Sequence, residues 1–101
     1  MNQLEKRINK WHRETFPNAT RKAVLLKLCE EMMELVEAIS SGNDEWILNE
    51  LSDVINVGIA FEGRYTTLKH GLHRWVAAKH EINRSRVWGK ENSDGDRPRV
   101  K

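Results

Sequence analysis

Between Trp46 and Phe61 the sequence places Trp46, Ile47, Leu48, Leu51, Val54, Ile55, Val57, Ile59 and Phe61 around well over half the girth of a helix turning about 100° per residue. A helix apolar on that many sides has to be buried on several of them. A chain of 101 residues supplies few neighbours to do so. The segment therefore predicts a helical bundle and an oligomer that completes it.

The remaining elements follow from periodicity and punctuation. Leu4, Ile8 and Trp11 recur at helical spacing and predict a first helix over residues 2–15, closed by Phe16-Pro17-Asn18. Thr20 is placed to cap a second helix that runs to Ser41 and stops at Gly42. Asn43 or Asp44 caps a third, from Glu45 to about Gly63. Thr66 or Thr67 caps a fourth, from Leu68 to about Trp88, with Gly71 a weak point inside it. Short connections force consecutive helices to lie antiparallel. The expected fold class is all-α, an antiparallel bundle of about four helices. Residues 1–90 read as one helical domain and residues 91–101 as an extended or disordered tail.

Composition narrows the function classes. Net charge is only +2 although 32% of residues are charged, so no strong basic field marks nucleic acid as a partner. Arg84, Arg86, Lys90, Arg97, Arg99 and Lys101 gather near the C-terminus, but with no aromatic interleaving beyond Trp88 they read as a solvated tail. Cys29 is the only cysteine, which excludes an internal disulfide and a cysteine-based zinc site and fits a reducing, cytoplasmic location. No apolar run approaches the roughly 20 residues of a membrane span, and no signal-peptide pattern opens the chain. No membrane partner is expected.

The chemistry lies in the carboxylates. In "KLCEEMMELVEAI", residues 27–39, Glu31 abuts the apolar stripe of the second helix and Glu34 follows at i, i+3, while Glu30 and Glu37 fall on the outer side. In the third helix Glu50 and Asp53 repeat the i, i+3 spacing, and Glu50 lies inside the apolar arc between Val57 and Phe61. An ionised carboxylate there costs several kcal/mol unless it is paired or metal-bound. Glu34 stands about eight residues before Gly42 and Glu50 about eight after it, so an antiparallel pair brings the four carboxylates into one layer. Four hard oxygen ligands suit Mg²⁺, with Mn²⁺ as a substitute; both keep waters and take up phosphates. On the fourth helix Lys79, Asn83 and Arg86 share a line that either snorkels from the core edge or points at an anion held by the metals. His12, His70, His73 and His80 are scattered, and no metal role is expected for them.

"EEMME", fifteen residues and then "ELSD" resembles the EExxE…ExxD signature of MazG-like all-α nucleoside triphosphate pyrophosphohydrolases. The flanks "WHRETFPNAT" and "INRSRVWGK" are similar to a compact branch often associated with phage or mobile elements. The resemblance spans roughly residues 10–90. It implies Mg²⁺-dependent cleavage of a (deoxy)nucleoside triphosphate to the monophosphate and pyrophosphate, in a role of nucleotide-pool house-cleaning. It implies a homo-oligomer, dimer or tetramer. Carried over by motif, Glu31, Glu34, Glu50 and Asp53 are the metal ligands, and Glu30 and Glu34 are the candidates for activating the attacking water. Lys79, Asn83 and Arg86 resemble the basic element that contacts phosphates. Trp11 resembles a residue that helps enclose the base, and a core tryptophan is an equal reading of it.

The competing reading is a non-enzymatic helical interaction or regulatory module whose carboxylates form interhelical salt bridges, with Lys79 brought near Glu50. Phosphoribosyl-ATP pyrophosphohydrolase is a further possibility within the superfamily, with no residue here that favours it.

Overall fold

The computed structural model describes residues 2–67 and 70–100. Its helices are α1 (Gln3–Thr15), α2 (Arg21–Ser41), α3 (Asp44–Tyr65) and α4 (Leu72–Ser85). Among the described residues there is no strand longer than a single bridge, so the all-α expectation holds. No helix among them is long and apolar enough to cross a membrane.

Local chemistry sets three of the starts. The Asn2 side chain accepts from the Glu5 amide at 2.8 Å, Thr20 Oγ1 from Ala23 at 3.1 Å, and Asn43 Oδ1 from Trp46 at 3.0 Å. Between α2 and α3, Gly42 takes φ 71°, the left-handed conformation that glycine adopts without a Cβ penalty. That single residue fixes the register of the hairpin. Positions equidistant from Gly42 face one another: Val24 with Ala60, Lys27 with Val57, Glu31 with Asp53, Glu34 with Glu50. Val24, Ala38, Ile59 and Ala60 form the buried apolar core, and the two alanines let the helices approach closely.

The fourth helix is shorter than the sequence predicts. Gly71, read above as a weak point inside it, has φ 90° and stands before its first turn without a side-chain cap. Thr66 closes α3 instead of opening α4, its hydroxyl donating to the Glu62 carbonyl at 2.8 Å. Leu68, the expected start, lies outside the described residues. The helix stops at Ser85, short of Trp88, whose indole donates to the Asn83 carbonyl at 2.9 Å. Residues 86–100 run extended and fold back through an antiparallel bridge between Trp88 and Arg99. Asn92 accepts from the amides of Asp94 and Asp96 at 2.9 Å each and shapes the turn at Gly95.

The first helix turns a different face inward from the one its apolar stripe suggests. Leu4 and Trp11 stay more than half exposed, whereas Glu5 and Asn9 are 2% and 6% exposed. Gly63 on α3 leaves room for the Asn9 amide, and a Cβ there would overlap it. Arg13 donates to the Gly63 carbonyl at 2.7 Å, and Arg64 reaches back to His12 at 2.9 Å. At the far end the Glu5 carboxylate meets His73 of α4.

The single chain is not a closed bundle. Its radius of gyration is 16.3 Å, against about 13 Å for a compact domain of this length. Met32, Met33, Val36, Ile39, Leu48 and Ile55 on α2 and α3 are each half exposed or more. Packing at Gly63 makes a direct prediction. Gly63→Ala should destabilise by about 1–3 kcal/mol by expelling Asn9 from its slot, and Asn9→Ala in the same chain should recover most of that loss. Urea unfolding of the two single variants and the double variant measures the coupling.

Candidate metal centre

The α2–α3 hairpin delivers the acidic layer to one place. One carboxylate oxygen each from Glu31, Glu50 and Asp53 lie within 4.8 Å of one another. The three grade outward, with Glu31 buried, Glu50 half-buried and Asp53 exposed. Glu34 joins them: its carboxyl is held above the usual carboxylate range by a hydrogen bond with Glu31, by the Glu31 charge and by desolvation, with Glu50 adding both charge and a hydrogen bond. These are the contacts that the i, i+3 spacings and the Gly42 register predict. Glu30 stays outside, exposed, with its carboxylate 3.7 Å from Lys27.

The layer is only partly satisfied. Glu31 receives Lys27 Nζ at 3.0 Å, and Glu50 Oε1 accepts from the Trp46 indole at 3.3 Å. Glu31 Oε2 and Glu50 Oε2 are buried with no hydrogen-bond partner. A buried carboxylate oxygen without a partner costs about as much as a lost charged hydrogen bond. Two such oxygens beside a third carboxylate are the donor set that a hard divalent cation takes. The residues present fit such an ion.

A cavity of about 430 Å³ adjoins the layer, lined mainly by apolar groups of Trp11, His12, Phe16, Ala19, Ala23, Val24 and Val57, with Lys27 at its edge. Trp11 and Phe16 meet edge to face at 5.8 Å. Its outer wall is braced on α3, because Arg64 donates to the Pro17 carbonyl at 2.9 Å and the Tyr65 hydroxyl to the Ala19 carbonyl. The guanidinium of Arg64 only donates, so His12 Nδ1 accepts and Nε2 carries the proton. Burial, then the Arg64 charge, pushes the His12 pKa below its ordinary 6.5. Trp11 thus lines the wall of this cavity and is more than half exposed.

Other expected residues are not brought to the layer in the single chain. Lys79 and Asn83 line a shallow groove on α4 with Leu72, Trp75, Val76 and His80. Arg86 donates to Asn83 Oδ1 at 2.9 Å. Among the described residues no ion pair joins Lys79 or Arg86 to the carboxylates, so the Lys79–Glu50 proximity expected from counting residues is not seen. The count ran from a turn near Tyr65 with a helix beginning at Leu68, whereas α4 begins at Leu72, after Gly71. Sequence reading missed Lys27, although its spacing to Glu30 and Glu31, i, i+3 and i, i+4, was a signal for it. It also missed Glu5 and Glu62, buried carboxylates outside the layer.

Residues 19–62, which contain the whole acidic layer, match the family of the MazG nucleotide pyrophosphohydrolase domain. Among solved structures, the cyanophage S-2L MazG-like pyrophosphohydrolase, bound to dGDP and three catalytic Mn²⁺ ions per active site, is similar. It shares 24% identity at a TM-score of 0.67, over 98% of this chain and 95% of that one. At that identity the likeness speaks for the fold. No curated protein matches the sequence.

Two outcomes are expected from this geometry. Glu50→Gln keeps an acceptor for Trp46 and removes a charge. The metal-free melting temperature should hold or rise, while the upward shift produced by Mg²⁺ or Mn²⁺ should be largely lost; calorimetric melts with and without metal measure both. For His12, the folded pKa lies below the unfolded one, so between the two values the unfolded chain binds the extra proton. Stability should fall as pH drops from about 6.5 through the folded value, and His12→Gln should remove that part of the slope in melts across the range.

Proposed function

We propose that the chain, a MazG-like all-α protein, is a divalent-metal-dependent nucleoside triphosphate pyrophosphohydrolase that releases a monophosphate and pyrophosphate. One observation carries the reading: carboxylates from two helices converge within 4.8 Å, hold buried oxygens without partners, and adjoin an apolar cavity of about 430 Å³. Glu5 Oε2 and both Glu62 oxygens are also buried without a partner, outside the layer, so it is the convergence of Glu31, Glu50 and Asp53 beside the cavity that favours the metal over a salt-bridged module.

Each part of the site has a task in this reading. Glu31, Glu34, Glu50 and Asp53 would hold Mg²⁺ or Mn²⁺, and the cation would supply neutralisation of phosphate charge and lower the pKa of water near the site. The cavity walled by Trp11 and Phe16 takes the flat apolar body of a base and excludes water from its edge. Glu34 is proposed to accept a proton from the attacking water, and Glu30, which lies outside the layer beside Lys27, is the alternative. In-line attack at the α-phosphorus requires positive charge beyond it to carry the leaving pyrophosphate, and Lys79, Asn83 and Arg86 are proposed for that clamp. They reach the layer in an oligomer, dimer or tetramer, that also covers Met33, Val36 and Leu48. Removal of unwanted nucleotides from the pool is the role such a reaction serves.

With Mg²⁺ and a triphosphate, phosphorus NMR should show monophosphate and pyrophosphate rising together and no diphosphate accumulating. Orthophosphate with a nucleoside diphosphate contradicts the assignment. In light scattering at micromolar concentration the active species should be at least twice the chain mass of 11.8 kDa, and an active monomer contradicts the assembly.

A further inference from the structure

Lys27 occupies a junction that no other described cation shares. Its ammonium lies 3.0 Å from Glu31 and 3.7 Å from Glu30, and the residue lines the apolar cavity together with Val57. Glu31 is the most buried of the three carboxylates that converge, so the ammonium is the nearest positive charge to the deepest part of the layer. The ion pair is lopsided: the Glu31 side chain is 8% exposed and that of Lys27 is 55% exposed. The carboxylate is fixed in the helix packing, and the ammonium sits on a flexible four-carbon stem with solvent beside it.

We infer that Lys27 is a built-in counter-cation of the metal centre, which pairs with Glu31 in the empty protein, is displaced when a divalent ion takes that carboxylate, and then serves the phosphate of a bound nucleotide at the cavity edge. The first half follows from charge. A dication that takes Glu31 through both oxygens, Oε1 with its ammonium and the unpartnered Oε2, displaces Lys27, and one held by Oε2 alone repels the ammonium across a few ångströms in a partly desolvated site. The second half follows from position. A ligand with an apolar ring in the cavity and phosphates over the carboxylates has to pass Lys27, because the residue touches both. Once freed, the ammonium has three donors to share among Glu30, water and a phosphate oxygen at the cavity edge, and a phosphate carries the most charge of these. Ordering of the two events follows as well: metal binding comes first and opens a phosphate contact, so nucleotide binding depends on metal beyond the metal's own bond to phosphate.

This inference rests on the metal centre proposed above, and its test separates the two. Lys27→Met keeps an unbranched stem and removes the charge. Mn²⁺ alone is titrated calorimetrically into the wild type, Lys27→Met, and Lys22→Met as a control for loss of charge at an exposed α2 position. Lys27→Met should bind Mn²⁺ about fivefold more tightly than wild type, the scale of one partly exposed ion pair, and Lys22→Met should stay within about twofold. At saturating Mn²⁺, Lys27→Met should bind a non-hydrolysable triphosphate more weakly, about tenfold for one lost charged hydrogen bond. Equal or weaker Mn²⁺ binding by Lys27→Met overturns the inference and leaves the metal centre standing. Tighter Mn²⁺ binding with unchanged triphosphate affinity removes the phosphate role. A wild type that binds no Mn²⁺ overturns the metal centre and this inference together.

Discussion

Like-charge repulsion in the carboxylate layer is the constraint on which the hairpin depends. Glu31, Glu34, Glu50 and Asp53 are forced together by a register that Gly42 sets and Asn43 caps, and each local feature of the layer reduces the resulting cost. Glu34 holds a proton more strongly than an ordinary carboxylate, through its hydrogen bond with Glu31. Lys27 supplies an ammonium to Glu31, and Trp46 supplies an indole N–H to Glu50. These measures leave two buried oxygens unpaired. A hairpin selected for stability alone gains by placing apolar side chains at such positions, and the leftover oxygens, converging as those of Glu5 and Glu62 do not, are what the proposed metal would satisfy.

The same register lays out the rest of the site. One turn beyond Glu31 and Asp53, away from Gly42, Lys27 faces Val57, and one turn further Val24 faces Ala60. The layer therefore passes from acidic to apolar along one hairpin, and the loop of Phe16 and Ala19 closes over the apolar end through the Arg64 and Tyr65 bonds. Charge and cavity are adjacent because two helices run antiparallel in one register, with no need for a mobile element to bring them together.

What the sequence made legible was what short-range chemistry decides. Caps at Thr20 and Asn43, the stop at Gly42 and the i, i+3 carboxylate pairs depend on neighbours within a few residues, and they were read correctly. The α4 start was missed because a glycine inside a helical pattern is compatible with both a weak spot and a boundary, and only its φ of 90° decides between them. The turn of residues 86–100 has no period to detect, being built on Asn92 side-chain bonds and one bridge at Trp88. The hardest feature was the face of α1. Hydrophobic periodicity points to Leu4, Ile8 and Trp11, but the contact with α3 is polar, fixed by the groove at Gly63 and by Arg13 and Arg64. Nothing in the α1 segment itself announces a glycine fifty-four residues away.

That polar contact bears on the proposed assembly. Where α1 faces α3 through Asn9, His12 and Arg13, its apolar residues Leu4 and Trp11 are left facing out, as are Met33 and Val36 of α2 and Leu48 of α3. Burying one such side chain contributes about 1.5–3 kcal/mol, so a chain that leaves all of them wet forgoes stabilisation comparable to the whole stability of a small domain. A small core of Val24, Ala38, Ile59 and Ala60 does not compensate. The basic residues at α4 and its C-cap present the same deficit from the other side: among the described residues no ion pair joins Lys79 or Arg86 to a carboxylate. A second copy packed on the α2–α3 faces answers both deficits at once, covering the apolar stripes and carrying cationic side chains toward a neighbour's carboxylates. In the proposed oligomer, folding and the phosphate clamp are then consequences of a single interface.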